Sequence, residues 1–365
     1  MAGAGSSSSP VTAAAVSAAG ATHGGEANPL AGEGHVGAID LGGTKIYAAI
    51  FAPDGRIAGR AVLVTGKDHR PAAVIDRMAA AVRDAAGQAG VPVAALQAVG
   101  VGAPGPIEPA TGVVTVAPNL DWERVPLRAE LECRLGLPVA VDNDVRVAVL
   151  AEHLAGAGRG ARNMVGVWPG TGIGGGLVLD GRLYTGPHNL AGEIGHITIK
   201  AGGPRCGCGG RGHLEALASR TAIVRDIARA VERGEETVLT RYAGAGIADA
   251  TSTDIAQAWQ QRDKVVSRVV ERAARYLACG LATVANLLNP ELIVLGGGVI
   301  EGLGDPFVAR VQALVSKMPL AASTGTVRIV RSHFGDDAGV SGAALLARYL
   351  ARLRPATPSL SPVAL

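Results

Sequence analysis

Two stretches of this chain open the same way, with a strand, a glycine-rich turn and a second strand. The first is Asp40-Leu41-Gly42-Gly43-Thr44-Lys45. The second runs from Pro169 to Gly176 and reads Pro-Gly-Thr-Gly-Ile-Gly-Gly-Gly. Mixed strands and helices follow each opening, and 365 residues suffice for about two domains. The repeated arrangement predicts two related α/β domains facing each other across a cleft, although identity between the halves is slight.

Apolar alternation and turn residues place the elements around these turns. Strands are expected over His35–Leu41 and Ile46–Phe51, with a third ending near Val64 after the Ala-Pro-Asp-Gly turn. Pro71 starts an alanine-rich helix to about Ala89, because proline suits the first helical turn. Gln97–Gly102 and Leu137–Asp142 read as strands, and Pro126–Leu135 as a helix. Asn143-Asp144 caps a helix to about Ala155. The second half offers strands at Met164–Trp168, Leu177–Asp180 and Leu292–Leu295. Its helices are expected at Thr221–Arg233, Asp263–Leu288 and Gly339–Leu353. Residues 1–33 are rich in Ala, Gly and Ser and are expected to be a disordered tail, and 355–365 a flexible one. The expected domains are 34–143 plus 339–354, and a larger one over 144–338.

A net charge of +3, with Lys and Arg scattered among Asp and Glu, is weak evidence for a nucleic-acid partner, and none is expected. Aromatics at 3% leave few platforms for base stacking. No apolar run approaches the ~20 residues of a membrane helix. Of the four cysteines, Cys206 and Cys208 form a C-x-C pair, while Cys133 and Cys279 stand alone and are expected to be buried. This is no disulfide framework, and it points to a reducing, cytoplasmic setting.

Gly42 and Gly43 let the first turn expose amide N–H groups, Thr44 adds a hydroxyl and Lys45 a charge. Such a nest suits phosphate oxygens, with Asp40 at the strand end placed to hold Mg²⁺ through water. A plain hairpin turn explains the same residues equally well. In the second turn, five glycines in eight positions, with Gly170, Thr171, Gly172 and Gly174 foremost, are expected to let backbone approach a ligand closely. It lacks the G-K-[ST] ending of a Walker A loop, and a strand rather than a helix follows it, unlike a dinucleotide fingerprint. Gly296 and Gly297 follow a strand, and either pack against a nucleotide or form a tight strand–helix joint.

Val141-Asp142-Asn143-Asp144 ends a buried strand at a helix start. An ionised Asp144 there is able to take a proton from an attacking hydroxyl, with Asn143 orienting it. By itself the motif reads more readily as a helix cap. Between Ala191 and Glu215 lie two carboxylates (Glu193, Glu215), two imidazoles (His196, His213) and two thiols (Cys206, Cys208). Thiols and imidazoles are tetrahedral zinc ligands, and carboxylates accept hydrogen bonds from sugar hydroxyls. One segment thus combines a metal site with a grip for a polyol.

Taken in order, the motifs resemble the ROK family of sugar kinases and repressors over about Val36–Leu353. They are D-L-G-G-T-K (40–45), G-A-P-G-P-I (102–107), P-N-L-x-W (118–122), D-N-D (142–144), G-T-G-I-G-G-G (170–176), A-G-E-I-G-H (191–196) and C-x-C-G-x-x-G-x-x-E (206–215). The resemblance implies a two-domain actin/hexokinase-like (ribonuclease H-like) α/β fold, with ATP across the glycine turns and sugar in the cleft. It implies that Asp144 is the base, and that Asn119, Asn143, Glu193, His196 and Glu215 contact the sugar. The loop around Gly105 and His188–Leu190 would set the space near the sugar's second carbon. His196, Cys206 and Cys208 match zinc ligands. His213 stands where the family usually has a third cysteine, which still permits a Cys₂His₂ site. Val145-Arg146 stands where many members carry a small residue and then Asn, and Arg146 is expected to face away from the sugar.

The implied activity is transfer of the ATP γ-phosphoryl group to a hydroxymethyl oxygen, with glucose foremost. N-acetylmannosamine, N-acetylglucosamine or fructose are alternative acceptors, and polyphosphate an alternative donor. A sugar-responsive repressor would need a helix-turn-helix ahead of Val36, where only the low-complexity stretch stands. Most members of the family assemble as dimers or tetramers, so the resemblance implies a homo-oligomer.

Overall fold

The computed structural model describes residues 10–21, 28–243, 246–318 and 327–353. The chain divides into two units. The first comprises Met1–Val16, Gly25–Val147 and Val340–Leu365, and the second Ser17–Gly24 and Ala148–Gly339. The division falls inside helix α4 (Asp144–Ala155), so Asp144 groups with the first unit rather than opening the larger one.

The expected disorder over 1–33 is corrected at two places. Ala13–Ala21 form a helix, α1, built from residues of high helix propensity. The Ala13 N–H donates to Asp142 Oδ2 at 2.7 Å, so a tertiary contact fixes its start. Leu30 is buried, and its carbonyl accepts from Arg348 Nε at 3.0 Å.

The first unit is built on β1 (Val36–Leu41), β2 (Lys45–Phe51), β3 (Ile57–Val64) and β4 (Val99–Ala103). A small antiparallel sheet follows, β5 (Ile107–Glu108), β6 (Val113–Ala117) and β7 (Trp122–Val125). The fifth strand of the main sheet is β8 (Val139–Asn143). The main order is β3-β2-β1-β4-β8. The first three strands run antiparallel, while β4 and β8 run parallel to β1. Helix α2 (Pro71–Ala89) lays Val74, Ile75, Met78, Val82 and Ala85 on this sheet at helical spacing, and Gly90 ends it at φ 68°. Helix α3 (Leu127–Leu135) buries Leu127 and Leu131. The last helix, α10 (Ala338–Leu353), crosses β4 so closely that a Cβ on Gly100 would sit 1.8 Å from the Ala343 carbonyl oxygen.

The second unit repeats the same strand scheme. Its strands are β9 (Met164–Pro169), β10 (Ile173–Leu179), β11 (Arg182–Tyr184), β12 (Leu292–Leu295) and β13 (Arg328–Arg331), in the order β11-β10-β9-β12-β13. Again three strands are antiparallel, and two run parallel to the first. Strand β10 starts at Ile173, earlier than expected, so Gly174, Gly175 and Gly176 are strand residues paired with Trp168, Val167 and Gly166. The helices are α5 (Glu215–Ala218), α6 (Arg220–Glu232), α7 (Ser252–Gln260), α8 (Lys264–Leu288) and α9 (Gly298–Val315). Asp263 caps α8 by accepting the Val266 N–H. Helix α9 bends at Gly304, two residues before Pro306. Val165, Val167, Ile293, Leu295, Leu277, Leu281 and Phe307 share one core.

Cys133 and Cys279 are exposed on α3 and α8, against the expectation that both are buried. Among the described residues no helix is long and apolar enough to cross a membrane.

Candidate functional site

In the first unit the chemistry gathers where β8 runs into α4. Asn143 Oδ1 accepts the Arg146 N–H at 3.1 Å, so Asn143 is the residue that caps α4. Its Nδ2 donates to the Gly105 carbonyl at 3.2 Å, which brings these two expected sugar-side residues together. Gly105 has φ 83°, and a Cβ there would meet the Val116 carbonyl oxygen at 2.0 Å, so no other residue fits. Asp144 begins the helix, its Oδ1 accepting the Val145 N–H at 2.8 Å.

Beneath this junction Asp142 is buried; it accepts the Asn143 N–H and the Ala13 N–H, each at 2.7 Å, and pairs with Arg146, whose Nε lies 3.3 Å away. Arg146 is itself 6% exposed. It turns inward to neutralise Asp142, so a cation is tolerated where many family members carry Asn.

The first glycine turn is a tight hairpin, with the Gly42 N–H donating to the Lys45 carbonyl at 2.9 Å. Thr65 holds it from outside the motif. Its hydroxyl donates to the Gly42 carbonyl at 2.8 Å, and its N–H to the Thr44 carbonyl at 2.9 Å. Asn119 lies against the turn, with Nδ2 3.1 Å from where a Gly43 Cβ would be. Asp40 is half-buried at the end of β1, and Lys45 is exposed at the start of β2.

The glycines of the second turn separate into two kinds. Gly175 and Gly176 are required by internal packing, because Cβ atoms there would meet the Gly192 carbonyl oxygen at 2.5 Å and Val149 at 2.9 Å. This corrects the expectation that the whole run serves a ligand. Gly170 has nothing within 4 Å of its Cβ position and remains open for close approach. Thr171 is held by Arg220, whose Nη2 donates to its hydroxyl at 2.9 Å, and by Thr221, whose hydroxyl donates to its carbonyl at 2.7 Å. Gly172 faces the Glu215 carboxylate, which also accepts the Ile173 N–H at 2.9 Å. Gly296 and Gly297 pack against the Trp168 indole and the Pro169 carbonyl, so that cluster is a tight strand–helix joint.

His196, Cys206, Cys208 and His213 offer ligand atoms that all lie within 4.8 Å of one another. Cys206 Sγ is 3.8 Å from His196 Nδ1, and Cys208 Sγ is 3.2 Å from His213 Nδ1. Two thiols and two imidazoles at this separation fit a tetrahedral Cys₂His₂ site, with His213 as the fourth member. The loop that carries them is pinned by backbone pairing of Thr198 with His213 and of Arg205 with Arg211. His196 directs Nδ1 to this cluster, and its Nε2 lies 3.9 Å from Glu193 Oε2. Cys206 donates its thiol proton to Glu215 Oε1 at 3.3 Å. Burial above all pushes the Cys206 thiol up to about 12, with the neighbouring thiol and Glu215 adding to it.

Thr65 and Arg220 escaped the sequence reading. Thr65 sits just past the third strand, where nothing marks it. The Ser219-Arg220-Thr221 opening of α6 is a helix-start signal, with Ser219 accepting the Ala222 N–H, and that signal was available.

The ROK family model matches residues 36–349 of this chain. The glucokinase of Halalkalibacterium halodurans is 38% identical over 314 residues, which span 85% of this chain and 94% of that one. The glucokinase of Thermotoga maritima is 34% identical over 84% of this chain and 95% of its own length. A solved structure of a ROK family glucokinase from Streptomyces griseus, in complex with glucose and AMPPNP, aligns with a TM-score of 0.78 at 33% identity. The alignment covers 87% of this chain and 100% of that one. The actin/hexokinase-like fold expected from the motifs is the fold of this chain.

Proposed function

The chain belongs to the ROK family, and on that premise we propose that it transfers the γ-phosphoryl group of ATP to a hydroxymethyl oxygen of glucose. The observation that carries the reading is the junction of β8 and α4. Asn143 supplies the helix cap, so Asp144 is not needed for one. Asp144 opens the helix, its Oδ1 accepting the Val145 N–H, and a helix N-terminus is a favourable place for a carboxylate's negative charge.

Asp144 takes the proton of the attacking hydroxyl, while Asn143, Glu193 and His196 hold the sugar. Proton removal accounts for roughly 10²–10⁴-fold in rate, and holding the hydroxyl in line for ~7–11 kcal/mol of the barrier. The glycine turns present backbone N–H groups to the phosphates, and Lys45 and Arg220 add positive charge. Position and charge neutralisation dominate such a transfer. Asp40 would hold Mg²⁺ through water, and the ion would neutralise phosphate charge. A zinc ion held by His196, Cys206, Cys208 and His213 would keep both thiols as thiolates. Without its proton Cys206 no longer donates to Glu215, whose Oε1 is then open to a sugar hydroxyl.

A coupled ADP-release assay over hexoses and acetylated hexosamines tests the substrate. Glucose is expected to give the highest kcat/KM, with ATP as donor. A preference for N-acetylmannosamine or N-acetylglucosamine would replace the substrate while keeping the base. Turnover with polyphosphate in place of ATP would replace the donor.

A further inference from the structure

The second unit contains an open cavity of about 740 Å³ that the kinase reading does not use. The metal-binding loop forms one wall and contributes Lys200, Arg205 and Arg211. Helix α6 and its end contribute Arg225, Arg229 and Arg233, and α8 contributes Arg272. These seven cations face a single lining carboxylate, Asp226.

That carboxylate is already committed. Asp226 pairs with Arg225 at 2.8 Å and Arg272 at 2.7 Å, and Arg229 lies 3.9 Å from it. Arg233 turns to Glu235 at 3.1 Å. Among the described residues no carboxylate lies within ion-pair distance of Lys200, Arg205 or Arg211.

Among the described residues the loop cations carry no internal counter-charge. Arg205 and Arg211 pair across an antiparallel bridge, which sets two like charges on the same side of the loop. Arg225 and Arg229 stand at i,i+4 on α6 with Arg233 just past its end, and they share the few carboxylates Asp226 and Glu235. Among the described residues no carboxylate relieves the loop arginines. Guanidinium groups match phosphate oxygens in bidentate geometry. The volume exceeds the needs of one phosphate and lies within the range of small-molecule sites. Tyr276 and Leu217 add a hydroxyl and an apolar patch for an organic portion.

We propose that this cavity is a second, non-catalytic site for a multiply charged phosphate compound, held by Arg205 and Arg211 from the metal loop and Arg229 from α6. The proposal is independent of the kinase reading. An occupant would tie together the two sides of the loop that carries Cys206 and Cys208.

The test is isothermal titration calorimetry on the full chain at ~0.1 M salt, where surface charge is screened beyond ~10 Å. Glucose and a non-hydrolysable ATP analogue are present throughout, so that the catalytic site is filled. The probes are inorganic phosphate, tripolyphosphate and glucose 6-phosphate. At least one of the last two is expected to bind one equivalent more tightly than inorganic phosphate. Stronger tripolyphosphate binding assigns a polyphosphate source, and stronger glucose 6-phosphate binding a sugar phosphate. Arg205→Ala with Arg211→Ala is expected to weaken the bound probe at least tenfold. Arg229→Ala, on the exposed face of α6, does the same without touching the loop. Because the loop arginines repel, the double variant should melt no lower than wild type without the probe, and only wild type should gain melting temperature with it. No binding by either larger probe, or equal affinity in wild type and Arg229→Ala, would overturn the site.

Discussion

Glu215 and Ile173 join the loop of Cys206 and Cys208 to the second glycine turn. The Glu215 carboxylate at the start of α5 accepts the Ile173 N–H at the start of β10, at 2.9 Å. Its other oxygen meets Cys206. One carboxylate thus ties the ligand cluster to the backbone expected to face phosphate.

Glu215→Gln should therefore raise the KM for glucose and for ATP together. A hydrogen bond to a charged group is worth ~1.5–3 kcal/mol, so about tenfold or more is expected for glucose. Steady-state kinetics with each substrate varied checks this. Unchanged values for both would show that the link carries no functional load.

Metal removal should act through the same loop. Metal analysis is expected to find one zinc per chain. Stripping it should lower the melting temperature and weaken glucose binding in parallel, because a metal site of this kind contributes folding free energy. A fully stripped chain that melts and binds glucose as before would rule out the clamp.

Arg348 offers a test of the first unit alone. It is 3% exposed, and its guanidinium serves the carbonyls of Leu30, Gly34, Phe51 and Ala52. Burial, with the charge of Arg352 adding to it, draws Arg348 down to about 10, so it stays charged near neutrality. Arg348→Ala strips four carbonyls of their donor and should cost about 3 kcal/mol or more in urea unfolding. Arg348→Lys, with one compact ammonium, should recover less than half of that. A loss under about 1 kcal/mol would contradict the assigned contacts.

Acid sensitivity has a defined source in the second unit. Glu271 on α8 accepts two hydrogen bonds from Arg310 on α9, at 2.9 and 2.6 Å, and a third from Arg275. Arg310 first, and Arg275 after it, hold the Glu271 carboxyl down at about 2, against an ordinary value of 4.5. The folded value lies below the unfolded one. The stabilisation is therefore complete above about pH 4.5 and is lost as pH falls toward 2. Solvent screens the cluster, so Glu271→Gln should cost only about 1 kcal/mol near pH 7. The difference in urea midpoint between variant and wild type should shrink across that acid window. A gap that stays constant down to pH 2.5 would place the effect elsewhere.

Much of the fold was legible because strong local signals agreed with tertiary need. Pro71 and the 3.6-residue apolar spacing mark α2 at both ends, as observed. The C-x-C pair and the two histidines declared a ligand set that the structure brings together. Other parts depend on partners far along the chain. Helix α1 has almost no amphipathic character to read, and its anchor on Asp142 lies 129 positions away. Strand β5 is two residues long, and α9 is interrupted by Gly304 and Pro306, so neither shows a period. Gly175 and Gly176 looked like ligand-facing turn residues, whereas Gly192 and Val149 are what exclude a side chain there. The roles of Arg146 and Arg220 were not legible locally, although Arg146 stood out and Arg220 sits at a helix start, because each acquires its role from a partner the fold supplies, Asp142 and Thr171.

The central claim is that Asp144 takes the proton of the sugar hydroxyl while its neighbours hold the substrates. Asp144→Asn, assayed for ADP release with glucose and titrated with glucose and nucleotide by calorimetry, tests it most directly. Turnover is expected to fall by roughly 10²–10⁴-fold, with both affinities within about threefold of wild type. Turnover near the wild-type level, with binding intact, would contradict the account.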